Sequence, residues 1–240
     1  MKNFVFCAAG VALGFFVGFL VANTMSQPQA AAPQAARATQ AQGDPGRFEG
    51  ELPPNHPDIG ALSGNDSPAA NSAEAQSAME AADASPRDFA AQMEAAETFY
   101  GLHDYQKAEL YAGRALDINP DDAKALVLMG NAKYDRRDYA GAAGFYERAL
   151  AKNPDDPNVR TDFGNTFFLR EPPDLDRAIA EYRKSIATDP RHEQSWLNLA
   201  SASIQKRDKT AALEALTRLE SINPQNTSLA TLRQNAQAIP

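Results

Sequence analysis

Five prolines, Pro86, Pro120, Pro154, Pro190 and Pro224, stand 34, 34, 36 and 34 residues apart, and this ladder constrains the fold more than any other feature of the chain. A period of this length marks one supersecondary unit repeated in tandem. Such a unit cannot bury its apolar face alone, so it must stack on its neighbours. Two further registers keep the same step: an aspartate at Asp104, Asp138, Asp174 and Asp208, and an alanine at Ala108, Ala142, Ala178 and Ala212.

The unit over 121–154 displays the content of one period. Leu126, Met129, Gly130 and Lys133 recur at helical spacing, giving a first helix with one apolar face and a lysine whose stem can pack. Tyr139, Ala142, Ala143, Tyr146, Ala149 and Leu150 do the same on a second helix. Asp138 is placed to cap that helix by accepting backbone N–H bonds, and Asn153-Pro154 ends it because proline cannot continue the hydrogen-bond ladder. The small residues Gly130 and Ala142 are expected to meet where the two backbones approach.

The pattern L-x-x-M-G…Y-x-x-A…A-L…N-P in this unit resembles the tetratricopeptide repeat, and the resemblance extends from about Asp88 to Asn226. It implies an all-α, right-handed superhelical stack of about four helix-turn-helix repeats, over 86–120, 121–154, 155–190 and 191–224, with a C-terminal capping helix over 226–237. Ser85 is expected to cap a first helix starting at Pro86, where a proline is well tolerated. In the third repeat two extra residues give Glu171-Pro172-Pro173-Asp174, a stiffer and protruding turn. Trp196 occupies the large apolar packing position of the fourth, beside Leu199 and Ala200, and is expected in the core.

The front of the chain is of another kind. Residues 4–22 form an uncharged apolar run of 19 residues, spanning roughly 28 Å at about 1.5 Å per residue, close to the thickness of a hydrocarbon core. It reads as a transmembrane anchor, with a cleaved signal peptide as the alternative. Lys2 lies on one flank and the next cation is Arg37, so residues 1–3 stay cytoplasmic and the repeats face the periplasm from the inner membrane. Gly10, Gly14 and Gly18 form a small-residue stripe that permits self-association. Cys7 is the single cysteine, which excludes an intrachain disulfide.

Residues 23–85, rich in Ala, Pro and Gln, read as a disordered linker between anchor and repeats. Residues 1–85 carry −5 of the net charge of −8, so no basic face points to nucleic acid. Within the linker, the Leu52–Ile59 stretch is either a short docking motif or a stiff Pro-rich spacer. Asn71 to Ala84, alanine-rich with Met79, is the candidate for a degenerate helix packed on the first repeat.

No phosphate-binding loop, metal-ligand spacing or nucleophile motif occurs, and His56, His103 and His192 are scattered. The expectation is a non-enzyme without metal, cofactor or small-molecule substrate, whose partner is a protein or peptide. In the tetratricopeptide family the partner lies against the first helices. The resemblance carries this role to Lys124, Val127, Asn131, Tyr134 and Asp135 in repeat two and to Asn158, Thr161, Asn165, Phe168 and Leu169 in repeat three. Asn131 and Asn165 are expected to bracket a peptide backbone, and Tyr100, Tyr134 and Phe168 to be exposed aromatics. Met93 stands where the family's carboxylate-clamp lysine would be, which argues against capture of a free C-terminus. The functional expectation is a membrane-tethered scaffold or assembly factor. A narrower version resembles the repeat proteins of c-type cytochrome maturation, and the competing class is a structural protein that self-assembles.

Overall fold

A computed structural model describes residues 68–240, with side-chain surroundings from residue 73. The expected membrane span at 4–22, its glycine stripe Gly10, Gly14 and Gly18, and the linker up to residue 67 lie outside the described residues. Among the described residues no helix is long and apolar enough to cross a membrane.

Ten helices follow one another: α1 (Pro68–Ala84), α2 (Phe89–Gly101), α3 (Tyr105–Ile118), α4 (Ala123–Asp135), α5 (Tyr139–Lys152), α6 (Pro157–Leu169), α7 (Leu175–Thr188), α8 (Glu193–Gln205), α9 (Lys209–Ile222) and α10 (Leu229–Gln237). Each packs on the next, so α2–α3, α4–α5, α6–α7 and α8–α9 are the paired A and B helices of four repeats. The A helices also touch directly, α2 with α4 and α6 with α8, and the face that the A helices present is one wall of the stack.

The caps are those the aspartate register requires. Asp104, Asp138, Asp174 and Asp208 each accept the backbone N–H of the residue three further on, at 2.9–3.1 Å. The turns before them are closed by Asp138 N to Lys133 O at 2.8 Å, with counterparts in repeats one and four. In repeat three Asp174 N reaches Phe167 O, also at 2.8 Å, so the two inserted residues bulge out and the register resumes behind them.

Three expectations need correction. Asp88, not Ser85, caps α2, accepting from Ala90 and Ala91, so α2 starts at Phe89 and Pro86 lies in the preceding turn. Pro86 ends α1 as Pro154 ends α5, and the linker boundary at residue 85 therefore overlaps a helix. The alanine-rich segment does pack on repeat one: Ala75, Ala78 and Ala82 are buried, and Gln92 Nε2 donates to Ala82 O at 2.7 Å across the junction. Gly130 faces Tyr146, since a Cβ built there would lie 2.7 Å from the Tyr146 ring. Gly164 stands in the same relation to Tyr182, at 2.6 Å. Trp196 is only half-buried; its indole N–H donates to Pro190 O at 2.9 Å.

At the C-terminal end α10 begins at Leu229, three residues later than expected, and buries Leu229, Leu232 and Ala236 against α9 and α8. Its outer residues Thr231, Gln234, Asn235 and Gln237 are exposed, as are Glu74, Gln76, Ser77 and Glu80 on α1. Both ends of the stack are thus closed by helices with polar outer faces.

Candidate functional site: the wall of A helices

The residues proposed to bind a partner separate into two groups. Lys124 and Asn158 are exposed, and Val127, Asp135, Asn165, Phe168 and Leu169 are half-buried along the wall. Asn131, Tyr134 and Thr161 are not on the surface. Asn131 is fully buried, Tyr134 is 6 % exposed and Thr161 1 %.

The reason lies in the B helices. Tyr146 and Tyr182 tuck their rings against the glycines of the A helices, which brings each hydroxyl to the next side chain: Tyr146 Oη donates to Asn131 Oδ1, and Tyr182 Oη to Asn165 Oδ1, both at 2.8 Å. A buried phenol needs an acceptor, and the asparagine supplies it. Asn165 Oδ1 also accepts from Asn198 Nδ2 at 2.7 Å, and its own amide reaches Asp162 Oδ1 at 3.4 Å. Asn131 has no such neighbour for its Nδ2, which is buried with no hydrogen-bond partner, because Leu128 stands three residues before it where Asp162 precedes Asn165.

The signal for this was in the sequence. Gly-Asn followed by a tyrosine sixteen positions on from the glycine occurs at Gly130-Asn131 with Tyr146, and with the inserted pair added at Gly164-Asn165 with Tyr182. Repeats one and four have Ala96-Glu97 with Ala112 and Ala200-Ser201 with Leu216. Asparagine accompanies tyrosine and is absent without it.

Glu97, which the sequence does not single out, lies 2.6 Å from Lys124 Nζ, and Tyr100, expected to be exposed, is half-buried and donates from Oη to Asp135 Oδ2 at 2.8 Å. Leu197, Ser201 and Ile204 extend the half-buried surface onto α8. Burial pushes the Tyr100 hydroxyl up, and the charge of Asp135 adds to it. Burial does the same for Tyr134, reinforced by Asp162. These hydroxyls are donors at any ordinary pH.

One constellation has the outline of a catalytic relay. His192 Nδ1 is 2.6 Å from Ser195 Oγ, and its Nε2 is 2.9 Å from Asn158 Oδ1. Ser195, however, is fully buried, hydrogen-bonded to Thr161 at 2.7 Å and Ser185 at 2.7 Å. No substrate carbonyl can reach a nucleophile so enclosed. The cluster joins repeats three and four, and His192 supplies no side-chain cap to α8 where aspartates cap the other A helices. Among the described residues no group of His, Cys, Asp and Glu could hold a metal ion.

Models of the tetratricopeptide repeat match residues 99–161 and 174–227. With the paired helices and their glycine and alanine contacts, these matches make the described domain a tetratricopeptide-repeat domain, a class that serves protein–protein interaction and is generally non-catalytic. Among solved structures, the chain is similar to MamA 41-end from Desulfovibrio magneticus RS-1, at 20 % identity and a TM-score of 0.61, covering 66 % of this chain and 88 % of that one. A second MamA crystal structure matches at 16 % identity and a TM-score of 0.59, covering 64 % and 89 %. At these identities the likeness is one of fold. Comparison with curated proteins finds no match.

Proposed function

We propose that this chain is a tethered scaffold or assembly factor that holds a segment of a protein partner along the wall of A helices. The observation that carries the reading is that the ends of the stack are closed by α1 and α10, while the wall keeps Val127, Phe168, Leu169, Leu197 and Ile204 half-exposed beside Asp135 and Asn165. An apolar strip with polar neighbours on a rigid frame suits an extended peptide. Asn131, Tyr134 and Thr161 set the shape of the wall from beneath; of the two asparagines only Asn165 is within reach of a partner.

The apolar run at 4–22 supports an inner-membrane anchor with the repeats in the periplasm. A periplasm-specific reporter fused after Pro240 is expected to be active; activity confined to a cytoplasmic reporter would reverse the topology. Client identity, including a c-type cytochrome precursor, has no residue of its own among those described. Photo-crosslinking residues placed at Phe168 and at Ile204, in the full-length chain in its native membrane, are expected to give defined protein adducts that the same residue at Glu147 on α5 does not. Equal adducts from all three positions would remove the wall as the binding surface.

A further inference from the structure

Every B helix carries a cation at one register: Arg114, Arg148, Lys184 and Arg218. Three of them have an acceptor within the stack. Arg114 Nη1 donates to Asp83 Oδ1 at 2.6 Å, Arg148 Nη2 to Pro120 O at 2.6 Å, and Lys184 Nζ to Glu181 Oε1 at 2.7 Å. Arg218 differs: among the described residues its side chain makes no hydrogen bond, ion pair or ring contact.

The neighbouring side chains account for the difference. The carbonyl of the proline after each B helix is taken in turn, Pro120 O by Arg148, Pro154 O by Arg160 at 2.6 Å, and Pro190 O by the Trp196 indole at 2.9 Å. Trp196 thus holds the acceptor that Arg148 uses in repeat two. Repeat three offers its lysine Glu181 instead, but repeat four has Ala215 at that register. The residue after the proline changes as well, from Asp121 and Asp155 in repeats two and three to Arg191 in repeat four. Asp121 pairs with Lys152 at 2.7 Å. Arg191 engages only its backbone N–H, on Asp189 Oδ1 at 2.9 Å, and its side chain also has no partner among the described residues.

The two arginines line one open cleft of about 510 Å³ between the start of α8 and the end of α9, together with Trp196, Glu214 and Ile222. Both are exposed, while Trp196 and Ile222 are half-buried. Glu214 lies four residues before Arg218 on α9 and is not paired with it, so two guanidinium groups face one carboxylate. With its N–H engaged, the indole offers the cleft its apolar ring.

We infer that this cleft binds an acidic polypeptide segment of a partner protein. An Asp or Glu side chain of the partner lies between Arg191 and Arg218, and an adjoining aliphatic or aromatic side chain rests on Trp196 and Ile222. The planar fork of a guanidinium receives a carboxylate through two N–H bonds, and the ring supplies apolar area of fixed geometry. A basic segment would meet two like charges here. The cleft shares no residue with the apolar strip of the wall, so this surface stands or falls independently of the wall reading.

The test reads the emission of Trp196, the single tryptophan of the chain. A phage-displayed peptide library is selected on the full-length chain and counter-selected on the Arg191→Ala/Arg218→Ala variant, whose helical circular dichroism should match. Peptides that distinguish the two proteins are synthesised, with any tryptophan replaced by phenylalanine, and titrated. They are expected to carry Asp or Glu beside an apolar residue and to shift or quench Trp196 emission. Either single arginine variant should weaken them roughly two- to fivefold, the size of an exposed charge pair, and added salt should weaken them further. Distinguishing peptides that are basic or uncharged, acidic ones that leave the emission unchanged, or no distinguishing peptide at all would overturn the inference. A change of emission on replacing Glu49 and Glu51 with glutamine, with no peptide added, would give the cleft to the chain's own 48–52 segment and overturn it equally.

Discussion

Repeats two and three place the same asparagine at the same register, one after a glycine and beneath a tyrosine, and the two side chains end in different circumstances. Asn165 is half-exposed and shared among Tyr182, Asn198 and Asp162, whereas Asn131 is fully buried and bonded to Tyr146 alone, with its amide nitrogen left over. The difference is made one turn back, by Asp162 in one helix and Leu128 in the other. Register fixes which helix face a residue occupies. What its neighbours can donate or accept fixes whether it is a binding group or part of the frame.

The largest expected effect follows from how many groups each asparagine keeps satisfied. Asn165→Ala orphans the Tyr182 hydroxyl and the Asn198 amide, two buried groups at about 1–3 kcal/mol each. Asn131→Ala orphans only the Tyr146 hydroxyl, a single loss of about 1–3 kcal/mol. Chemical denaturation of the full repeat stack should therefore rank Asn165→Ala below Asn131→Ala in stability. The reverse order would mean that Asn165 serves the surface and that the network around it is incidental.

Removing the other partner sharpens the comparison. Tyr146→Phe leaves Asn131 Oδ1 buried with no donor and should cost about 1–3 kcal/mol. Tyr182→Phe leaves Asn165 Oδ1 still accepting from Asn198, so only the ordinary value of one hydrogen bond is lost, about 0.5–1.5 kcal/mol. Combining Tyr146→Phe with Asn131→Ala should cost less than the sum of the singles, since neither partner is then orphaned. Strict additivity would show that the 2.8 Å bond contributes little.

The same two repeats explain how far the sequence could be read. The proline ladder, the aspartate caps and the alanine register each report local backbone chemistry, so they gave the helices and their order directly. Pro86 is ambiguous in the sequence because proline suits both the start of a helix and the residues just past its end; the ladder's own rule, in which Pro154 ends α5, points to α1. Asn131, Tyr134 and Thr161 fall on the partner-facing side of their helices by register, yet burial depends on what a neighbouring helix inserts. That insertion is the ring of Tyr146 or the hydroxyls of Ser185 and Ser195. The pairing of Gly-Asn with tyrosine in repeats two and three, and its absence in one and four, was visible, but only as a correlation between helices. Trp196 shows the same limit from the apolar side: its position belongs to the core, and the last repeat leaves it half-covered.

The smallest expected effect concerns the junctions on either side of repeat three. Where repeat two has Val127 and Ala149, repeat three has Thr161 and Ser185 at the same register, and these hydroxyls close on Ser195 and His192. Thr161 and Ser185 both donate to Pro157 O, at 2.7 and 2.8 Å, Ser195 donates to Ser185 at 2.7 Å, and the His192 ring lies between Ser195 Oγ at 2.6 Å and Asn158 Oδ1 at 2.9 Å. Burial holds the His192 pKa below its ordinary value of 6.5, although Asp189 and Asp156 oppose the shift. Because the folded value is depressed, the proton binds the unfolded chain more readily. Stability from this group is full above about pH 6.5 and is lost as pH falls from there through the lower folded value. Thermal melts from pH 7.5 to 5 should show a decline that His192→Gln removes, on top of any change the carboxylates produce below that range. An NMR titration should find the His192 ring protonating below the ordinary imidazole value of 6.5. Should His192 titrate at or above 6.5, and the melts of the two proteins run parallel, the hydroxyl cluster would be a packing contact with no pH dependence of its own.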